Sequence, residues 1–344
     1  MSDIIQGEKN VRSSLKKIGI GVPRWPGDIG LKIEGKEITL ILKPEAVGLA
    51  KDNKNMQDNA ACFEGWAVAL KAKSKDLKII LKVESDLHEF KIEEDGTVKE
   101  NGHYGRFLYR TLRFSEQYES WFSLEESLDR VVTNFKKNYL KNDVLCNNVP
   151  GTKAGKNGKI ECYIEALMAK TGKEAFLNSL KKAKNEKDIN PEQQVYRQLP
   201  VGLFSGSVDD NRKVFTGGAS AIDLWTLKDD ALQVVELKAD NKMVGIITEI
   251  FFYSNYMYDL LINEKFRSTK PNFNNGDSNN RGYDTLYIKA INKEIKKIEG
   301  FMLANEYHPL ITPDVLDVLN AGSKNDEIQY FRAEYDFDVT IKQK

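Results

Sequence analysis

Two strand-like runs, residues 222–228 and 231–238, are separated only by Asp229 and Asp230, a spacing that points to one local fold, an antiparallel hairpin. Both runs are rich in Val, Leu, Ile, Trp and Thr, which suit a pleated, half-buried surface, whereas two consecutive Asp are turn chemistry. In a hairpin closed symmetrically about that turn, the numbers of facing partners sum to a constant. Lys228 opposite Ala231 therefore puts Asp223 opposite Glu236. Facing side chains start about 4.5–5.5 Å apart at Cβ. Side chains alternate along a strand, so Lys238 shares the face of Glu236 while Leu237 points the other way. Two carboxylates and an ammonium thus converge at the open end of the hairpin. Carboxylates at that separation repel unless positive charge lies between them, and their hard oxygens suit Mg²⁺ or Mn²⁺.

The bare text of an acid two residues before a lysine carries little weight. It recurs at Glu34/Lys36, Asp52/Lys54, Asp76/Lys78, Glu89/Lys91, Asp240/Lys242 and Glu294/Lys296 in a chain with 30% charged residues, and a solvated face accounts for most of those. Glu236 and Lys238 differ because they end an apolar strand whose neighbour has Asp223 embedded in it. Charges that break a local pattern in this way mark functional sites.

With those residues in place, segment 191–263 resembles the PD-(D/E)XK nuclease superfamily, whose core is a helix, a mixed sheet carrying the active-site hairpin, a second helix and further strands. Asp223 matches the first Asp of the motif and Glu236-Leu237-Lys238 its (D/E)XK, with Ile222 where the strict motif has proline. Residues 191–198, with Pro191 at the first turn, look like the leading helix, and Glu192 matches the acid that many members carry there. Residues 243–263 predict a long helix. On it Glu249 and Tyr253, four apart and so on one face, are similar to the Gln-x-x-x-Tyr motif of the RecB-like branch, with Glu in place of Gln. Tyr253 equally fits the core face of a buried helix, beside Phe251, Phe252 and Tyr256. Further on, 298–307 reads as a strand, 313–320 as a short helix ended by Gly322, and 328–341 as one or two strands.

The resemblance implies an α/β (α+β) restriction-endonuclease-like domain over 161–344, with a central mixed sheet flanked by helices. It also implies that Asp223, Glu236 and the carbonyl of Leu237 hold Mg²⁺ or Mn²⁺, with Glu192 contributing directly or through water. Lys238 would orient or deprotonate the attacking water.

Residues 1–145 read as a β-rich domain ending in a helix: strands at 38–42, 67–70, 77–83 and 89–93, then a capping box from Ser123 to Glu126 and a helical run to Leu140. Residues 146–160 form a linker. Within it, Gly151 to Asn157 is one residue short of a phosphate loop and lacks its Ser or Thr after the lysine. Segment 106–121 interleaves Arg106, Arg110 and Arg113 with aromatics, which fits either a base-stacking strip or an amphipathic element with solvent-facing arginines. The lysines of 153–187 fit a phosphate-binding rim or one solvated helix face, and Asp336 with Asp338 fits further carboxylates or a charged edge strand.

Composition sets outer limits. A chain of 344 residues, 41% hydrophobic, has room for two domains with sizeable cores. Its 51 Lys and Arg balance 51 Asp and Glu, but a metal brings its own positive charge, so neutrality does not exclude nucleic acid. Cys62, Cys146 and Cys162 make neither a disulfide framework nor a zinc site. No apolar run has membrane-spanning length and no signal pattern opens the chain, which predicts a cytoplasmic protein with no membrane contact. The expected function is a Mg²⁺-dependent endonuclease acting on DNA rather than RNA, in restriction or phage defence. Cutting both strands of a duplex would suit a homodimer, and the N-terminal domain would serve target recognition, control or a partner protein. The alternative is a nuclease-fold module that binds nucleic acid or assembles with partner proteins without turnover.

Overall fold

The computed structural model describes residues 4–150, 160–216, 220–240, 242–275, 281–322 and 327–335. The first part of the chain runs α1 (Glu8–Lys17), β1 (Gly30–Glu34), β2 (Glu37–Leu42), α2 (Pro44–Val47), α3 (Phe63–Lys73), β3 (Lys78–Val83), α4 (Gly102–Gln117), β4 (Phe122–Leu124) and α5 (Glu126–Tyr139). The remainder runs β5 (Leu145–Asn147), α6 (Ile160–Met168), α7 (Lys173–Ala183), β6 (Val195–Pro200), β7 (Leu203–Ser205), β8 (Lys213–Phe215), β9 (Ala221–Lys228) and β10 (Ala231–Lys238). It closes with α8 (Gly245–Leu261), α9 (Tyr283–Ile291), β11 (Lys297–Ala304), α10 (Pro313–Ala321) and β12 (Ile328–Glu334). The class is mixed α/β. None of the described helices is long and apolar enough to cross a membrane.

A five-stranded mixed sheet, in the order β12-β11-β10-β9-β6, carries the hairpin. Strands β10, β11 and β12 are parallel, whereas β9 is antiparallel to both β10 and β6. Every position of β10 is buried, as a central strand covered on both faces requires. One face packs Val235, Leu237, Phe301 and Leu303 against Ile164, Met168, Phe176 and Leu180 of α6 and α7. The other packs Leu232, Val234, Ile298 and Met302 against α8. Sheets β1-β2-β3-β4, mixed, and β5-β7-β8, antiparallel, complete the molecule. The apolar cluster on the α8 face is continuous with residues of α1, β2, α3 and α4, so the two parts of the chain share a core.

Several expectations are corrected. Residues 191–198 are not a helix: a turn at 191–192 leads into β6, which adds to the outer edge of β9. Pro191 suits a turn as well as a helix start, Val195 and Tyr196 favour a strand, and Gln193 is tied by its side chain to Thr226 and Gln233. The helices on that side of the sheet are α6 and α7 instead. Residues 1–145 are not β-rich, since α3, α4 and α5 dominate them. Residues 67–70 belong to α3, where Phe63 through Leu70 are all buried; a run that is apolar all round has no period from which to tell helix from strand. Residues 89–93 contribute only an isolated bridge, Ile92 to Val98. Helix α5 is present, but its N-cap is Glu125, which accepts from Ser127 N, while Ser123 lies in β4. Residues 146 and 147 of the expected linker belong to β5, which begins at Leu145, and 151–159, Asp336 and Asp338 lie outside the described residues.

Charged groups lie inside this core. Arg110 of α4 grips Glu64 of α3 with two bonds, Nε to Oε1 at 2.7 Å and Nη2 to Oε2 at 2.5 Å, both residues fully buried. Removing one partner strands the other without water. Glu64→Ala should therefore cost about 3–5 kcal/mol in urea denaturation, and Glu64→Leu with Arg110→Met should recover most of that.

Candidate functional site

The β9–β10 register is the one the sequence predicts, with Ala231 facing Lys228 and pairing continuing to Val235 and Leu224. The ladder then stops, one position short of Asp223 and Glu236. The β6–β9 ladder also has a gap here, pairing Arg197 with Leu224 and Leu199 with Ile222, while Gln198, the residue between them, takes φ 54°. Asp223 thus lies where the sheet opens on both sides, and its Oδ2 accepts from Leu237 N at 2.9 Å in place of a backbone rung. This opening lets several polar side chains meet at the end of an apolar hairpin.

Glu236 and Lys238 are 3% and 4% exposed, and Lys238 Nζ lies 2.6 Å from Glu236 Oε1. Helix α8 brings Glu249 over the same point, with Oε2 2.8 Å from Lys238 Nζ. Tyr253, one turn later, is buried beside them. Burial works against the Lys238 ammonium, but Glu236, Glu249 and Asp223 outweigh it and hold the lysine well above its ordinary pKa. Burial, then Asp223 and Glu249, push Glu236 well up; Lys238 opposes them without cancelling them. Asp223 is pushed up to about 8, by burial first, against the pull of Lys238 and with Glu165 and Glu249 adding to the rise. Burial, followed by Glu236, Glu249 and Asp223, raises Tyr253 well above the phenol range. The cluster therefore carries more carboxylate than cation.

Of the residues named from sequence, Asp223, Glu236, Leu237, Lys238, Glu249 and Tyr253 come together. Glu192 does not: it is exposed, in the turn before β6, at the end of the sheet where Gln193 meets Thr226. The acid that sequence reasoning missed is Glu165 on α6, buried and within electrostatic reach of Asp223. Gln198 Nε2 at 2.6 Å and Arg197 Nη2 at 3.2 Å hold its Oε2. Glu161, one turn earlier, accepts from Ala239 N at 3.3 Å. The available signal was an acid pair four apart on the helical run 160–168. Arg106 was also missed as a site neighbour. It is buried, donates to Ser220 Oγ at 3.2 Å just ahead of β9, and feels the charge of Glu249. Arg110 and Arg113 are held in buried ion pairs, which removes the base-stacking reading of 106–121.

Glu236 Oε2 is buried with no hydrogen-bond partner among the described residues, and the nearby oxygens are hard donors, so the residues fit a small divalent cation. The fitting set is Asp223, Glu236 and the Leu237 carbonyl rather than a cage. Among the described residues no group of three or more His, Cys, Asp or Glu is arranged to hold a metal ion. No protein-family model, curated protein or solved structure matches this chain.

The raised carboxylates have a stability consequence. In chelator, folded Asp223 keeps a proton that the unfolded chain releases above about pH 4. Its contribution is full below that value and is lost as pH rises through about 8, and Glu236 acts in the same direction. Melting temperature should therefore fall between pH 5 and 8, and Asp223→Asn should flatten that fall; parallel profiles would rule Asp223 out as its source.

Proposed function

We propose that this chain is a metal-dependent phosphodiesterase that hydrolyses nucleic acid. The observation that carries this reading is the burial of Glu236 and Lys238, with the half-buried Asp223 beside them, at the end of an apolar hairpin, one Glu236 oxygen being left without a partner among the described residues. Buried charge costs stability that a hydrophobic core has no need to lose, so its concentration at a sheet opening calls for a chemical reason. The five-stranded sheet supports the PD-(D/E)XK resemblance: helix α7, the antiparallel strands β6, β9 and β10, helix α8, then β11 parallel to β10, with β7 and β8 inserted between β6 and β9 and α9 between α8 and β11. A restriction-endonuclease-like domain, a DNA substrate, endonucleolytic action and a place in restriction or phage defence all rest on that resemblance.

Asp223, Glu236 and the Leu237 carbonyl would hold Mg²⁺ or Mn²⁺, which when bound supplies a Lewis acid and lowers the pKa of a water. Lys238 stays an ammonium under the pull of three carboxylates, so its role is to orient the attacking water and to stabilise charge building on the phosphate oxygens. Glu249 holds Lys238 from the helix side. Tyr253 keeps its hydroxyl proton and so can donate a hydrogen bond into the site. Glu165 adds negative charge beside Asp223, the part the sequence assigned to Glu192. Arg106 offers a guanidinium free of any carboxylate partner among the described residues, suited to a phosphate of the strand.

The second reading, a nuclease-fold module without turnover, draws on the Lys238 ammonium, which already bridges Glu236 and Glu249 as an internal counter-charge. One assay separates the two. Supercoiled, linear and single-stranded DNA and RNA would be incubated with Mg²⁺, Mn²⁺ or chelator. Cleavage should need the cation and drop at least about 100-fold in Asp223→Asn and Lys238→Ala, with folding checked by circular dichroism. Cleavage undiminished by Asp223→Asn would refute the assignment, and retained binding without cleavage under every condition would select the module.

A further inference from the structure

We infer that a basic cleft at the far end of α8 binds a small phosphate-bearing molecule. Two adjoining cavities of about 310 and 320 Å³ share Arg113 of α4, Lys136 of α5 and Lys265, which follows α8. Lys137 and Lys141 extend the second cavity. Each volume lies within the range of small-molecule sites, roughly 300–1,000 Å³.

The charge balance of this cleft is the reverse of the hairpin's. Its carboxylates are already engaged: Glu116 takes Arg113 Nη1 at 2.6 Å and Lys136 Nζ at 2.5 Å, and the buried Asp259 takes Arg113 Nε at 2.7 Å. Despite burial, Arg113 and Lys136 hold Glu116 below the usual carboxylate range. Lys137, Lys141 and Lys265 have no carboxylate partner among the described residues, which leaves the cleft positive. Arg113 Nη2 is buried and has no hydrogen-bond partner among the described residues, on a residue that lines both cavities and is 9% exposed. With Nε and Nη1 committed to carboxylates, Nη2 is the guanidinium nitrogen left to take a further acceptor. The flanking lysines require that acceptor to be strongly anionic.

A phosphate group meets these demands better than a carboxylate. It offers several acceptor oxygens and more than one negative charge, so it can serve the Arg113 edge and two lysines together. Asn255 and Tyr258 of α8 line the first cavity, giving the rest of a nucleotide-sized molecule polar and aromatic contacts. The inference does not depend on the proposed nuclease activity, because Asp259 follows Glu249 by ten residues, about 15 Å along the helix.

The test uses the full chain in chelator, so that no divalent ion can recruit phosphate elsewhere. Pyrophosphate and ATP would be titrated calorimetrically, with acetate at matched ionic strength as the reference anion. Lys137 and Lys265 can be replaced without touching the buried Arg113–Asp259 pair. Saturable binding of either phosphate probe is expected, weakened at least tenfold in the Lys137→Gln, Lys265→Gln double variant and unchanged in Lys9→Gln, Lys17→Gln, which alters exposed lysines of α1. The inference is overturned if neither probe saturates, if acetate competes equally, or if both double variants bind alike.

Discussion

The arrangement depends on α8 being buried on nearly every side. Every residue of this helix except Tyr258 is buried. A helix in that position must have its polar side chains answered by its neighbours, because water cannot answer them. Thr248 donates to Glu64 of α3, and Asp259 accepts from Tyr109 and Arg113 of α4. Asn255 donates to Phe251 O within the helix and to Tyr330 of β12. Glu249 is answered, among the described residues, by Lys238 from the opposite wall. Close approach makes this possible: a Cβ on Gly245 would lie 2.1 Å from Gln57 O, and one on Gly65 would lie 2.6 Å from a Val244 methyl. The N-terminal part of the chain therefore fixes where Glu249 sits over the hairpin.

How much of this was legible in the sequence differs from element to element, for physical reasons. The hairpin was readable because a two-residue turn leaves almost no freedom of register and the strand period is two, and the observed pairs follow. Helix α8 and strand β11 were readable from long apolar runs of suitable residues. The opening of the ladder at Asp223 was not, because it depends on a side chain replacing a backbone rung and on Gln198 adopting a positive φ in a separate strand. Proline at the first turn points to Glu192 on a leading helix, but it is a local signal that helices and turns share, and nothing local singles out Glu165. The choice between them is made by the free edge of β9, which no local window reveals. Segment 67–70 failed for a similar reason, since complete burial erases the periodicity on which such readings rest.

The three arginines of α4 show how charge ties the parts of the chain together. Arg106, Arg110 and Arg113 are spaced by four and three, so they share one face of the helix, a pattern that normally marks the solvent side. Here all three are buried, each with a different answer. Arg110 finds Glu64 within the N-terminal part of the chain, whereas Arg113 finds Asp259 only on α8. Arg106 meets no carboxylate at ion-pair distance among the described residues and is supported by Ser220, His103 and the more distant field of Glu249. Desolvation is severe enough to lower the pKa of Arg106 to about 10, a shift that Arg113, with its carboxylates close by, does not share. If the N-terminal part were separated from α8 and β9, Arg113 would lose its buried partner, and Arg106 would lose both its hydroxyl acceptor and the field that offsets its burial. The stripe that reads as a solvated face in the sequence is in fact the seam of the molecule, and the unneutralised member of the stripe lies at the end of the seam nearest the surplus of carboxylates.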